Sequence, residues 1–358
     1  MAIEGGSANN DAMQVPSILH PKIFLFAVAT LAPIPLLGMG SVYGGSWLIA
    51  ATVYLSIFAF LLDELITVVA TPAAPDTEFP TAELLSQFLA IAHFPLLGLG
   101  VWTVSGGANL SGPERLLAFL AFGLFFGQIS NSNAHELIHN ARRRLHQLGK
   151  WVFISFLFGH HTSAHRLVHH RFVGTSGDPN SAPIGQSFYG FAWRAWRGSF
   201  VEGLRAEIRL RHKSSDLEQA LNPYVEYLAG SGLMLFVAGL IGGWPGILAY
   251  FCLSSYAVMQ LLMSDYVQHY GLSRARTADG KPEPVGPQHS WNARHWFSAH
   301  LMLNAPRHSD HHAHPSRPFP ALSIAPEYPT LPHSLPVMGF IALFPRRWHK
   351  LMDGPAIE

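Results

Sequence analysis

Four histidines stand in the eleven residues RHSDHHAHPSR at positions 307–317, and they close a series of similar groups. The first group is NSNAHELIHN, with His135 and His139, and the second is SAHRLVHHRF, with His165, His169 and His170. The third supplies His308, His311 and His312. A spacing of four places two imidazoles one turn apart on one helix face, near enough to hold one metal ion, and His165 and His169 repeat the spacing of His135 and His139. His269, in DYVQHYGL, adds a ninth. One ion rarely takes more than about six ligands, so nine imidazoles imply two ions. Imidazole suits zinc, copper, iron and nickel, and affinity alone favours copper or zinc. Neutral imidazoles leave two divalent charges uncompensated. Glu136, Asp178, Asp265 and Asp310 are the carboxylates near enough in sequence to orient ring N–H groups and balance that charge.

The elements that must position these residues are apolar. The chain has 358 residues, 49% hydrophobic and only 13% charged. A bilayer core needs about 20 apolar residues per helix, and residues 23–43, 46–62, 84–104 and 116–130 supply such runs. Residues 227–264 contain no Asp, Glu, Lys or Arg; this run is too long for one span, and GGWPG at 242–246 divides it into two. The first run lacks a basic leader and an A-x-A-like site, so it reads as a span and not a cleaved signal. All but Lys22 and Arg115 of the 23 Lys and Arg lie in residues 133–225 and 265–358, which puts both segments, and both termini, in the cytoplasm. The expected fold is an all-α membrane protein of six transmembrane helices, with a cytoplasmic helical cap holding a histidine-rich dimetal site. Residues 20–358 read as one integral-membrane domain behind a polar N-terminal tail, 1–19. Residues 151–158 and 334–344 are apolar but too short to span, and are expected in the interface or beneath the metal site.

The single cysteine, Cys252, excludes a disulfide pair and a C-x-x-C redox centre, so any electrons come from another protein. Nothing points to nucleic acid: the basic residues face a membrane and accompany no recognised stacking motif. Two other readings of the histidines stand beside the dimetal one. HELIH fits the H-E-x-x-H pattern of zinc proteases with Glu136 as general base, but leaves the other groups unexplained. A metal carrier would place ligands near the bilayer midplane, where these spans hold only His93.

The pattern HxxxH, HxxxHH, HxxHH resembles the membrane fatty acid desaturase and hydroxylase superfamily. HELIH, GDPNSA, HYGL, GPQHSWN and RHSDHHAHPSRPF resemble its alkane 1-monooxygenase branch, across residues 40–352. The resemblance implies a non-haem di-iron centre, O₂ activation and terminal hydroxylation of n-alkanes in a bacterial inner membrane. It also implies an active site on the cytoplasmic side and electrons from rubredoxin or a ferredoxin-type donor with an NAD(P)H reductase. Iron, as opposed to another metal, comes from the resemblance alone. Its ligands, matched by motif, are His135, His139, His165, His169, His170, His269, His308, His311 and His312. Where that branch carries Glu, this chain has Ala164 and Gln268, a departure shared with the xylene monooxygenases. Methyl hydroxylation of alkylbenzenes and acyl-lipid desaturation or hydroxylation are therefore the other substrate readings. An apolar hydrocarbon would enter from the lipid between the helices that end at the histidines; Phe122, Phe125, Phe126, Leu261 and Leu262 are candidates for its path, with plain lipid-facing or core packing the favoured reading of each. His160 is expected to line or pack beneath the site, with His161, His289, His295, His300 and His314 around its ligands or at the surface; His289 and Asn292 of GPQHSWN stand out among these remaining polar residues.

Overall fold

The computed structural model describes residues 21–66, 79–213 and 221–357. The tail at 1–19 lies outside these residues. Among them are five helices long and apolar enough to cross a membrane: α1 (Ile23–Tyr43), α2 (Gly45–Leu65), α3 (Pro80–Ser105), α4 (Gly112–His139) and, later in the chain, Pro223–His269. Local chemistry sets their ends. Gly44, at φ 61°, turns the chain between α1 and α2 in a conformation glycine adopts without penalty. Ser111 and Glu114 form a capping box that starts α4, with Pro113 in its first turn.

Shorter helices follow on the polar side: α5 (Arg143–Ser155), α6 (residues 161–172) and α7 (Phe188–Arg211). Next comes α8 (Pro223–His269), capped by the Asn222 side chain accepting from Tyr224 N–H. A straight helix of 47 residues would be about 70 Å long, against about 30 Å of bilayer core. It is interrupted at Gly242 (φ −142°) and Gly243 (φ 61°). A Cβ on Gly246 would lie 2.4 Å from the carbonyl oxygen of Ala238, eight residues earlier. In a continuous helix those levels are about 12 Å apart, so the two halves fold back against each other at the GGWPG turn. The chain ends in α9 (Trp296–Leu301), α10 (His308–Ala313), α11 (Leu335–Ala342) and α12 (Pro345–Ile357).

Polar ties fix these helices to the spans. His93, buried in α3, reaches Ser130 Oγ of α4 through Nδ1 (3.1 Å) and Ser155 Oγ of α5 through Nε2 (2.8 Å). Asp63, near the end of α2, accepts from the N–H groups of Phe297 and Ser298 and so caps α9. Phe153, Phe156 and Phe158 are buried beneath the histidine-rich layer, whereas α11 buries Leu335 and Met338 and turns Phe340 outward. The apolar segments too short to span thus divide between packing and surface.

Candidate metal centre

Among the described residues three helices carry a single π-helical turn: α2 at Tyr54–Phe58, α4 at Phe126–Ser130 and α6 at His165–His169. Such turns insert one extra residue and occur often at functional sites. In α4 the turn directs Gln128, whose amide donates to Leu55 O of the α2 turn at 3.1 Å, and sets the register of His135 and His139 beyond it. In α6 it decides which histidines face one another.

The nine histidines converge in two groups, each with ligand nitrogens within 4.8 Å of one another. One holds His135, His139, His165, His170 and His311, and the other His169, His269, His308 and His312. This corrects the pairing read from spacing. In α6 the extra residue brings Nε2 of His165 to Nε2 of His170, five positions on, at 3.0 Å, and sends His169 to the other group. In α10 the α-helical spacing survives: His308 and His312 share a group, with Nε2 atoms 3.1 Å apart, while His311 crosses to the first.

These contacts fit metal ligation. An ion about 2.0–2.1 Å from each imidazole nitrogen spaces neighbouring ligands by about 2.9–3.4 Å. The observed Nε2 separations are 2.8 Å for His135–His165, 3.2 Å for His170–His311 and 3.0 Å for His269–His308. Buried Nε2 of His139 and of His169 has no protein partner among the described residues. Burial first, and the neighbouring imidazoles second, hold His165, His170, His311 and His312 well below the usual histidine range. They are neutral donors, the form a metal requires.

Of the four carboxylates singled out by sequence, Asp178 bonds a histidine of the two groups: its Oδ2 accepts from His169 Nδ1 at 2.9 Å and from Ser181 Oγ at 2.7 Å. Burial alone would depress His169, but this carboxylate outweighs it and raises the imidazole above its ordinary value. Burial likewise opposes ionisation of Asp178, yet His169, Ser181 and Asn180 hold its carboxyl below the usual range. Asp265 is one step removed, accepting from the Asn180 amide at 2.6 Å. Glu136 accepts from Phe319 N–H at 3.3 Å. Asp310, read as a partner of the flanking ligands, instead binds Arg317, His314 and Ser323 and ties down the loop after α10. Backbone groups do part of the expected work. Nδ1 of His269 donates to the His289 carbonyl at 3.3 Å, and Asn292 brackets Ser309 through both its N–H and hydroxyl, fixing α10.

His160 packs against Phe158 and Phe200. His161 stacks on His165 with ring centroids 4.9 Å apart, and neither of its nitrogens has a protein partner among the described residues. Sequence reasoning placed it either around the site or at the surface; the fold puts it at the edge of the site.

A cavity of about 750 Å³ reaches His135 and His308 from between α2, α4, α8 and α11. Met259, Met263 and Met302 give its wall adaptable surface. The exposed side chains of Ile57, Phe60, Met259 and Phe340 form part of its lining and make an apolar mouth. Leu261 lines it as anticipated. Phe122, Phe125, Phe126 and Leu262 do not: they are fully buried core, because their side of α4 and α8 meets other helices. Gln128, Asn131, Tyr256 and Gln260, which the sequence did not single out, line it instead, together with Gln268.

Residues 113–340 match the fatty acid desaturase family. The chain is 32% identical over 293 residues to alkane 1-monooxygenase 1 of Pseudomonas aeruginosa, covering 79% of this chain and 76% of that protein. It is 30% identical over 280 residues to alkane 1-monooxygenase 1 of Alcanivorax borkumensis, covering 77% and 68%. It is 26% identical over 282 residues to the xylene/toluene monooxygenase hydroxylase component of Pseudomonas putida, covering 76% and 74%. The chain therefore belongs to the fatty acid desaturase family, in the branch that contains the alkane 1-monooxygenases.

Proposed function

We propose that this protein is a membrane di-iron monooxygenase that converts n-alkanes to 1-alkanols. The observation that carries the reading is the convergence of nine imidazoles in two groups beside a cavity with an apolar mouth. His135, His139, His165, His170 and His311 would hold one iron, and His169, His269, His308 and His312 the other. The irons supply O₂ reduction and removal of hydrogen from an unactivated C–H bond, chemistry beyond any side chain. The chain's own residues position and exclude. Asp178 and the His289 carbonyl orient His169 and His269, Asn292 fixes α10, and the apolar cavity wall keeps bulk water away from the reacting carbon. Alkane and O₂, with two electrons and two protons, give alkanol and water.

The lone Cys252 builds no redox centre, so those electrons come from another protein, for which the family resemblance implies rubredoxin or a ferredoxin-type donor with an NAD(P)H reductase. The chain crosses a bacterial inner membrane six times, the sixth span arising where α8 folds back at Gly242 and Gly243. Its histidine layer then faces the cytoplasm with the basic segments, and residues 20–358 act as one domain. The H-E-x-x-H protease reading is disfavoured by five imidazoles where hydrolysis needs an open coordination position, and by the engagement of Glu136 with Phe319.

Alkylbenzene methyl hydroxylation is the second reading, favoured by Ala164 and Gln268. A Cβ on Gly203 would lie 3.1 Å from Ala164 Cβ, so α7 leaves little room for a carboxylate at 164. Gln268 is tied to Ser264 and to Ala305 O. One experiment separates the readings: iron-loaded protein with rubredoxin, reductase, NADH and ¹⁸O₂ receives octane and p-xylene together. Labelled 1-octanol is the expected product. Labelled methylbenzyl alcohol alone moves the protein to the second reading, and neither product from protein holding two irons refutes both.

A further inference from the structure

The far part of the cavity carries a hydrogen-bond acceptor that no described residue engages, Gln260 Oε1. Gln260 lies flat on Gly127 in α4: a Cβ at Gly127 would sit 2.1–2.3 Å from its amide atoms. Both residues line the cavity. The Gln260 amide nitrogen donates to Gly123 O at 2.8 Å and to Tyr256 O at 3.3 Å, which fixes the orientation of the amide. Its Oε1 accepts no hydrogen bond among the described residues, and unlike the oxygens of Gln128 and Asn131 it is not sealed in the packing. Several other polar groups of this wall are engaged, Ser132 with Gln128 O, Ser56 with Thr52 O, and Gln268 with Ser264 and Ala305 O, and the unpartnered oxygens of Gln128 and Asn131 are buried out of reach. A hydrogen-bond acceptor held toward an apolar cavity is costly unless something donates to it.

We propose that Gln260 is an anchor for a second substrate class, chains bearing a hydroxyl at the end remote from the metals. Gln260 precedes His269 by nine residues of the same helix, about 14 Å along its axis. An extended chain advances ~1.2 Å per bond, so about ten carbons fit between hydroxyl and reacting methyl. A primary alcohol such as 1-decanol enters with its hydroxyl donating to Gln260 Oε1 and its methyl toward His135 and His308. One oxygen atom of O₂ enters the distal C–H bond. The other leaves as water, with two electrons from the external one-electron carrier protein and two protons, and 1,10-decanediol forms. The oxidation step rests on the di-iron reading above, whereas the anchor does not.

The test uses the full chain in lipid nanodiscs and reads binding first. Radiolabelled 1-decanol is displaced by unlabelled 1-decanol or by 1-methoxydecane, which lacks the donor, with empty nanodiscs correcting for partition. The wild type prefers the alcohol about five- to tenfold, the worth of one neutral hydrogen bond. Gln260→Met and Gln260→Leu bring the ratio close to one. A wild-type ratio near one overturns the proposal, and so does a ratio unchanged in a folded variant. Turnover with the electron carrier follows. Oxidation of decane without diol from 1-decanol also overturns the proposed activity. Oxidation of neither, with the binding preference intact, refutes the hydroxylase reading and leaves the anchor standing.

Discussion

Asp178→Asn separates the two metal positions. The carboxylate uses Oδ2 for His169 and Ser181 and Oδ1 for the Asn180 N–H at 3.0 Å. An asparagine has one acceptor oxygen, so whichever way it turns, its NH₂ faces a former donor. Losing such an orienting partner costs about ten- to a hundredfold in metal affinity. At about 1.4 kcal/mol per tenfold, that is roughly 1.4–2.8 kcal/mol. His169 belongs to the group of four alone, so the loss falls on one ion. The assay is iron per chain, by elemental analysis, across a series of chelator concentrations. In the variant one iron leaves at a concentration ten to a hundred times lower than in the wild type, while the other leaves at an unchanged one. Superimposable curves, or a parallel shift of both irons, refute the assignment of His169 and Asp178 to a single position.

Other substitutions test the same architecture. His312→Ala leaves three imidazoles in one group and His311→Ala four in the other, so the first costs the chain one iron outright and the second only weakens retention; equal losses by elemental analysis contradict this partition. Gly246→Ala forces a methyl to 2.4 Å from Ala238 O and lowers stability by about 1–3 kcal/mol, read as a fall in melting temperature; an unchanged melt argues against the fold-back of α8. Acid destabilises the iron-free protein. Because His165, His170, His311 and His312 are depressed in the folded chain, the unfolded chain takes up their protons first as pH falls through about 6.5, and stability drops from there toward the depressed values. His169, raised by Asp178, opposes this, but it is one group against four. A melting temperature of the iron-free protein no lower at pH 5.5 than at pH 7.5 contradicts the balance.

The histidines were legible in the sequence because metal ligation demands particular side chains at helical spacings, and nine of them cannot be explained by packing. The GGWPG turn was legible because glycine and proline state backbone requirements directly. The partition of the ligands was not, since the π-helical turn at His165–His169 changes the period from four to five without a residue type that announces it. Asp310 misled for a related reason. Proximity in sequence to His308 and His311 says nothing of where its side chain points, and Arg317, His314 and Ser323 claim it. The aromatic residues of α4 could not be sorted into wall and core without knowing which helices cover which face. Phe122 and Phe126 turned inward, while Gly127, with no side chain of its own, made room for Gln260.

The apolar mouth at Ile57, Phe60, Met259 and Phe340 has a kinetic consequence. A reactant reaching the cavity sideways from the acyl chains is sampled at its mole fraction in the bilayer, and its aqueous solubility matters only through partition. Adding inert lipid at fixed total alkane and enzyme then slows the reaction by surface dilution, although nothing in the aqueous phase has changed. Two alkanes of very different water solubility, matched in membrane mole fraction, become comparable substrates, and a Michaelis constant for either carries meaning only per lipid.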